Sequence, residues 1–163
     1  MRRIIDTRIL AALNAMGAVV LNSSSALKSQ GTTFGVGDAA SPEVFTTIAD
    51  VVTIEGPSLS AEAIPVTDLS SARAQYIDGL PDEGEVTLEL NFIPGNTQHA
   101  ALRTDLNAGT SKNYRITFTD SPATTWTFPA LVTAAPSPSS AVNDKLTGSV
   151  TLRLTGATAL VEA

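Results

Sequence analysis

The sequence predicts a mainly β protein, an antiparallel β-sandwich or barrel with one α-helix on its flank. Short segments of the 163-residue chain alternate apolar with polar residues, and glycine or proline separates them at short intervals. In the body of the chain only one segment combines helical spacing with residues suited to both ends of a helix. Strands on both sides of a single helix are typical of such a sandwich or barrel.

Residues 1–26 predict an N-terminal arm ahead of a single domain at 27–163. Apolar residues recur at helical spacing and form one stripe, at Ile5, Ile9, Leu13, Met16 and Val20. We interpret this stripe as an amphipathic arm that docks on a neighbouring subunit. A secretory signal and a natural start at Met16 are alternative interpretations. The apolar run at 9–21 is too short to span a bilayer.

The glycine-rich stretch SQGTTFGVGD at 29–38 resembles a phosphate loop at first sight. Its order is G-x-x-x-G-x-G, no lysine follows it, and Asp38 lies where a phosphate would meet a like charge. No helix signal follows the stretch either. We therefore expect TTFGVG to begin the first strand, with glycines where backbones pass closely.

The next segments predict strands followed by a long loop. EVFTTIADVVTIEGPSLSAEAI, at 43–64, indicates one or two strands punctuated by Gly56-Pro57. Residues 65–84 contain proline, glycine and acidic residues without periodicity, so they predict an irregular loop.

A strand and a helix follow that loop. EVTLELNFI alternates clearly, with Val86, Leu88, Leu90 and Phe92 on one side. In the segment 96–109, Asn96 or Thr97 caps a helix that ends between Asn107 and Gly109. Its expected buried stripe contains Leu102 and Leu106.

Three more strand segments complete the chain: NYRITFT, TTWTFPALVT and DKLTGSVTLRLTG. Trp126 and Phe128 share one face of the second segment, which favours positions in the core. APSPSS, at 135–140, predicts a stiff polar loop.

Composition excludes several kinds of functional site. Without cysteine, the chain has no disulfide, zinc–thiolate site or thiol nucleophile, and its single histidine, His99, precludes a multi-histidine metal site. We expect His99 to pack at the border of the helix. The sequence predicts no catalytic, metal-binding or cofactor-binding residue.

Charge argues against a protein that grips nucleic acid. Between Asp38 and Glu89 the sequence has eleven acidic residues and one basic residue, Arg73. Such a surface repels phosphate. No calcium-loop motif accompanies the acids.

The order of these segments resembles the major tail tube proteins of long-tailed, lambda-like bacteriophages. The resemblance covers about residues 27–156, and its strongest parts are the G-T-T opening, the I-x-x-V-x-x-I-x-G-P strand and the strand-Pro-Gly-helix unit. It implies two packed antiparallel sheets with a flanking helix, six copies in a ring, and stacked rings that pass the genome. It also implies a virion protein without catalysis, assembled in the host cytoplasm, that contacts tail tip and tail terminator proteins.

Given that resemblance, we assign candidate assembly residues. Glu85 and Glu89, on the polar face of EVTLELNF, are candidate channel acids past which double-stranded DNA moves without specific binding. The loop at 65–84 is a candidate contact between subunits or rings, through Asp68, Tyr76, Ile77, Leu80 and Asp82. We expect no membrane insertion.

Three alternatives stay open at this point. The chain could be the inner tube protein of a contractile injection system, which is related in fold. It could be a monomeric β-sandwich that binds a ligand or a surface. A hydrolase using His99 with Asp105 or Ser111 is a further alternative that no motif supports.

Overall fold

A computed structural model describes residues 26–162, which form ten β-strands and one α-helix. The predicted arm contacts Ile5, Ile9, Leu13, Met16 and Val20 lie outside the described residues. In chain order the elements are β1 (Thr33–Gly37), β2 (Phe45–Thr47), β3 (Val51–Glu55), β4 (Ser60–Pro65), β5 (Tyr76–Asp82), β6 (Glu85–Asn91), α1 (Thr97–Ala108), β7 (Lys112–Thr117), β8 (Thr125–Ser139), β9 (Thr147–Leu154) and β10 (Ala159–Val161).

One antiparallel sheet curls around the core and is closed by its own chain. Its strand order is β2-β1-β7-β8-β9-β6-β3, with β10 also paired to β8. The first and last strands of this path, β2 and β3, are consecutive in the chain. The short link between them bonds to both sides of the sheet, because Ile48 N donates to Phe34 O at 2.8 Å and Asn91 N donates to Asp50 O at 2.8 Å. The predicted antiparallel β architecture with one flanking helix is confirmed for residues 26–162.

The core lies inside this curled sheet and follows the alternation of its strands. Its central strands contribute the buried residues Val86, Leu88 and Leu90 of β6, Phe128, Ala130 and Val132 of β8, and Val150, Leu152 and Leu154 of β9. Phe34 stacks on Tyr114 with ring centroids 5.8 Å apart, and both rings are buried. Phe128 is therefore a core residue as predicted, whereas Trp126 is half-buried and packs at the core's edge.

The helix has the predicted ends but a partly different buried side. Asn96 Oδ1 accepts from Gln98 N at 2.8 Å, and Gly109 adopts a left-handed φ of 61° just after the last turn. The helix packs against β8. Its fully buried side chains are His99, Leu102 and Asp105, while Leu106 is only half-buried. The prediction of a buried stripe is thus confirmed for Leu102 but not for Leu106. The polar residues His99 and Asp105 complete the buried side of the helix.

The irregular loop predicted at 65–84 is corrected by the structure. Strands β4 and β5 pair as an antiparallel hairpin, and only residues 66–75 connect them. Nearly every side chain of the hairpin is exposed, with Gly79 the half-buried exception. A strand without a buried face has no need of apolar–polar alternation, so its sequence carries no periodic signal. Segment 43–64 accordingly contributes three strands rather than one or two.

The prediction of a polar loop at 135–140 is also wrong for most of these residues. β8 continues to Ser139, and Pro136 is buried. Two irregularities in the register with β9, between Val132 and Ala134 and between Ala134 and Ser137, interrupt the ladder in this proline-containing half. The third strand segment after the helix is β9, and β10 was not predicted.

Candidate functional site

An apolar surface on the hairpin is the most exposed candidate site. We call Ile64, Leu69, Tyr76, Ile77 and Leu80 the hairpin surface. All five are exposed, and Leu80 retains 90% of its accessible area. Exposed apolar residues grouped on one element mark an interaction site more often than isolated ones do. The structure thus places three of the predicted loop residues on one strand, β5, with Asp82 at its end and Asp68 in the connection.

Hydrogen bonds order the outer end of the hairpin. Val66 N donates to Gln75 O at 2.9 Å, which continues the ladder beyond the strands. Asp68 Oδ1 accepts from Ser70 N at 2.8 Å and from Ser71 Oγ at 2.9 Å. The hydrogen bonds from the Ser70 and Ser71 hydroxyls lower the pKa of the Asp68 carboxyl. Asp68 therefore organises the tip, and its carboxylate is occupied by local donors.

The base of the hairpin is fixed to the closed sheet by two glycines. Gly56 and Gly84 have φ values of 99° and 74°. A Cβ added at Gly56 would lie 2.3 Å from Glu85 O, and one added at Gly84 would lie 2.2 Å from Ser58 O. The segment at 56–58, which leads into the hairpin, thus passes the start of β6 at 84–85 at distances that only glycine permits.

Ion pairs reinforce the same base. Asp82 accepts from Gly84 N at 2.9 Å and from Arg153 Nη2 at 2.5 Å. These two interactions, the Gly84 bond first, lower the pKa of the Asp82 carboxyl. Arg153 Nη1 also lies 3.6 Å from Glu85 Oε1. Asp82 therefore acts at the root of the hairpin rather than on its exposed surface.

A second candidate surface is the outward face of β6 and β9, which we call the polar sheet face. Glu85, Thr87 and Glu89 alternate with the buried residues of β6, as predicted. In the register of β9 they stand opposite Arg153, Thr151 and Ser149. Glu85 is paired with Arg153, whereas Glu89 forms no ion pair within residues 26–162. The candidate channel acids therefore share a face but differ in local charge balance.

Arg153 was not among the residues predicted for this site. In the strand segment DKLTGSVTLRLTG it stands between Leu152 and Leu154, and this alternation indicates an outward side chain. Its two partners depend on the strand register and on the path of the hairpin, and neither follows from local sequence.

His99 bonds to backbone groups rather than to a nucleophile or an acid. The side chain is buried, Nδ1 accepts from Ile93 N at 3.2 Å, and Nε2 donates to Ala49 O at 3.1 Å. Its ring also stacks on Phe92. Ser111 Oγ instead lies 3.0 Å from Thr155 Oγ1. The hydrolase alternative required His99 to contact Ser111 or Asp105. In the structure, each of these three side chains bonds to other groups instead.

Asp105 ties the helix to β7 instead. Lys112 Nζ donates to Asp105 Oδ1 at 2.6 Å. Burial, with the Asp105 charge as a second cause, raises the pKa of the nearby Tyr114 hydroxyl, so Tyr114 stays neutral at ordinary pH. Within the described part of the chain no group of His, Asp and Glu side chains could hold a metal ion. Over the same residues no helix is long and apolar enough to cross a membrane.

Comparison with known proteins gives one family and a common fold. The family model described as "Lambda phage tail tube protein, TTP" matches residues 27–161. The sequence matches no curated protein.

Solved structures resemble the chain along most of its length. The sheath-tube complex of the PVC extracellular contractile injection system in its extended state contains a chain with 20% identity and a TM-score of 0.67, covering 86% of this chain and 94% of its own. A chain in the tail of an empty gene transfer agent particle has 18% identity and a TM-score of 0.67, covering 83% and 99%. The SPP1 tail tube has 11% identity and a TM-score of 0.63, covering 85% and 80%. At these identities the structures support the fold alone.

Proposed function

The chain belongs to the lambda phage tail tube protein family, structural proteins of the virion tail, and from this premise we propose that six copies close into a ring and that rings stack through the hairpin. Similar chains come from a gene transfer agent tail refined with C6 symmetry and from a six-fold symmetrised baseplate of the anti-feeding prophage. These symmetries support a six-membered ring for this chain as well.

The exposed hairpin surface is the observation that carries the stacking proposal. The core described above is complete without it, since no residue of β4 or β5 belongs to the buried cluster. Tyr76, Ile77 and Leu80 therefore contribute little to folding of one copy. Each would contribute about 1.5–3 kcal/mol if a second copy covered it fully. A contact between unlike surfaces of identical copies repeats without closing, which is how stacked rings propagate.

The order in the hairpin favours the same role. Asp68 holds the tip, and Asp82 with Gly84 holds the base, so the hairpin presents the apolar side chains of its two faces at fixed positions. A preorganised surface loses less conformational entropy on docking than an irregular loop would. Asp68 and Asp82 would thus support the contact through position, while Tyr76, Ile77 and Leu80 provide its buried area.

For the channel we propose that the polar sheet face, with Glu85 and Glu89, lines the lumen. DNA carries one negative charge per about 1.7 Å of its axis, and each lysine or arginine contact adds salt-dependent affinity. Hydroxyl and carboxylate side chains offer few such contacts, so double-stranded DNA could pass without being held. Arg153 is the one cation within β6 and β9 themselves, and it pairs with Asp82 and Glu85. Lys145, just before β9, lines a groove with Glu89 and Ser149.

The ends of the tube would need different partners. A contact that propagates leaves one unpaired ring surface at each end. A sheath/tube terminator and a tube-terminating cap occur among the structures with similar chains. We propose that tail tip and tail terminator proteins cover the corresponding end surfaces here.

Electron microscopy of the purified full chain tests the proposal directly. We expect the natural chain to form rings or tubes at high concentration. We expect the double variant Ile77→Ser with Leu80→Ser to form no stacked rings. The matched control is Val44→Ser with Val142→Ser, which removes two exposed apolar side chains away from the hairpin and should assemble normally. A monodisperse single copy under all conditions would instead support a monomeric binding module, and equal stacking by both variants would remove the hairpin from the contact.

A further inference from the structure

A groove at one end of the curled sheet is not used by the proposed assembly contacts. It lies where the segment 27–32 passes β3 and the neighbouring ends of β7 and β8, and its volume is about 700 Å³. We call it the terminal groove. Its apolar lining residues are Leu27, Val51, Val52, Ile54, Ile116, Phe118 and Trp126.

The lining is suited to an apolar partner. Leu27 and Val52 are 66% and 55% exposed. Although the chain is rich in acids, the lining contains no carboxylate, and Lys28 is its one charged residue. Exposed apolar walls around a concave site are unfavourable in water and are usually covered by another segment or molecule.

Trp126 provides a second observation in the same groove. Its Nε1–H is buried and has no acceptor among residues 26–162. A buried donor without a partner costs about 1–3 kcal/mol. The Trp126 side chain itself lines the groove, so it reports on what covers the groove.

The position of the chain's own N-terminal segment identifies the occupant. Residues 27–32 form one wall, so the chain that precedes them enters at the groove's rim. Val20 lies six residues before Ala26, a reach of at most about 20 Å. The segment carries the apolar stripe Ile5, Ile9, Leu13, Met16 and Val20.

Charge supports the same occupant. Residues 1–25 contain three arginines and one aspartate, whereas the rest of the chain contains fifteen acidic and seven basic residues. The attraction between these opposite charges favours contact between the segment and the body as a whole, and the apolar lining without carboxylates selects the groove for the apolar stripe.

We propose that the terminal groove binds the apolar stripe of the chain's own N-terminal segment within a single copy, in place of the docking on a neighbouring subunit that the sequence alone indicated. The stripe covers the exposed apolar wall, which includes the Trp126 side chain. The proposal concerns one copy, so it stands or falls independently of the ring and the tube.

Fluorescence of Trp126 tests this contact because the chain has no other tryptophan. The test variant is Met16→Asp with Val20→Asp. The control is Ala11→Asp with Ala18→Asp, which adds the same charge on the opposite side of a helix. Working with full chains at concentrations where sedimentation shows single copies, we expect acrylamide to quench the test variant more strongly than the parent and the control. We also expect its emission to shift to longer wavelength.

Equal quenching of all three proteins would overturn the proposal. A difference that disappears on dilution would also overturn it, since the groove would then be covered by a second copy. Far-ultraviolet circular dichroism shows whether each variant keeps its β structure.

An engineered disulfide gives an independent measurement, because the natural sequence has no cysteine. On mild oxidation we expect Val20→Cys with Val52→Cys to form a bond within one chain, and we expect the control pair Ala18→Cys with Val52→Cys to form less. Disulfide-linked dimers, or equal yields from both pairs, would contradict docking within one copy. This readout remains informative if an aspartate variant fails to fold.

Discussion

His99 lies where the start of α1, the connection from β6 and the link between β2 and β3 meet. Its two ring nitrogens bond to Ile93 N and Ala49 O, and its ring stacks on Phe92. One side chain therefore holds the flanking helix against the segment that closes the sheet. The sequence placed His99 correctly on the packed side of the helix, but its two backbone partners lie in segments whose approach depends on the whole fold.

We predict that His99→Ala lowers the free energy of unfolding by about 2–4 kcal/mol, because it leaves a cavity and two backbone groups without partners. Urea denaturation followed by circular dichroism measures the change. Arg103→Ala, on the exposed side of the same helix, should stay within about 0.5 kcal/mol of the parent. Similar small losses for both variants would show that His99 does not connect these elements.

Gly56 provides a second prediction at this scale. Gly56→Ala meets both a positive φ and Glu85 O at 2.3 Å, so we expect a loss of at least about 1–3 kcal/mol. Gly95→Ala is the matched control, since an added Cβ there has no neighbour within 4 Å. Equal thermal midpoints of the two variants would mean that the base of the hairpin can shift to accept a side chain.

At the scale of elements, sequence patterns succeeded where an element has one buried side. β6 and β9 alternate because one of their faces forms the core, and the helix was delimited by Asn96 and Gly109. The hairpin of β4 and β5 escaped prediction because neither face is buried in a single copy. The C-terminal half of β8 escaped because its prolines are ordinarily signs of a loop.

We predict that the hairpin is dispensable for folding of the body. Replacing residues 60–82 by a two-residue Asn-Gly turn should leave the free energy of unfolding nearly unchanged, because the main loss is the exposed Asp82–Arg153 ion pair, which solvent screens. The same variant should form no stacked rings in negative-stain images. Loss of cooperative unfolding would show that the hairpin supports the core, and tube growth by this variant would contradict its role in stacking.

For the whole molecule, the order of strands could not be read from the sequence. β2 and β3 are neighbours in the chain yet lie at opposite ends of the sheet path. β2 pairs with its sequence neighbour β1, whereas β3 pairs with the distant β6. Local patterns specify which residues are buried but not which strands pair. The resemblance to tail tube proteins implied antiparallel strands with one flanking helix, which is confirmed for residues 26–162, and two packed sheets. The structure instead joins eight strands in one curled sheet, closed by the link between β2 and β3.

The polar sheet face supports a prediction on the assembled protein. Tubes of Glu85→Lys with Glu89→Lys should bind a short fluorescent DNA duplex at low salt and release it as salt rises, because lysines on the channel wall would contact phosphate. Asp144→Lys with Glu162→Lys makes the same charge change at exposed positions elsewhere and serves as the control. If both variants bind DNA equally, the binding reflects total charge rather than a lumen position.

Because residues 45–55 close the sheet within one copy, folding of the subunit is separate from its assembly, whereas many polymers combine the two steps. A subunit whose core is complete alone is ready before it meets a growing end, and its hairpin is an accessory to that finished body. It follows that a copy lacking the hairpin should still be recognised through its intact surfaces while offering nothing to the copy that comes after. Mixed in small amounts with the natural chain, such a copy would act as a chain stopper and shorten the filaments in proportion to its share.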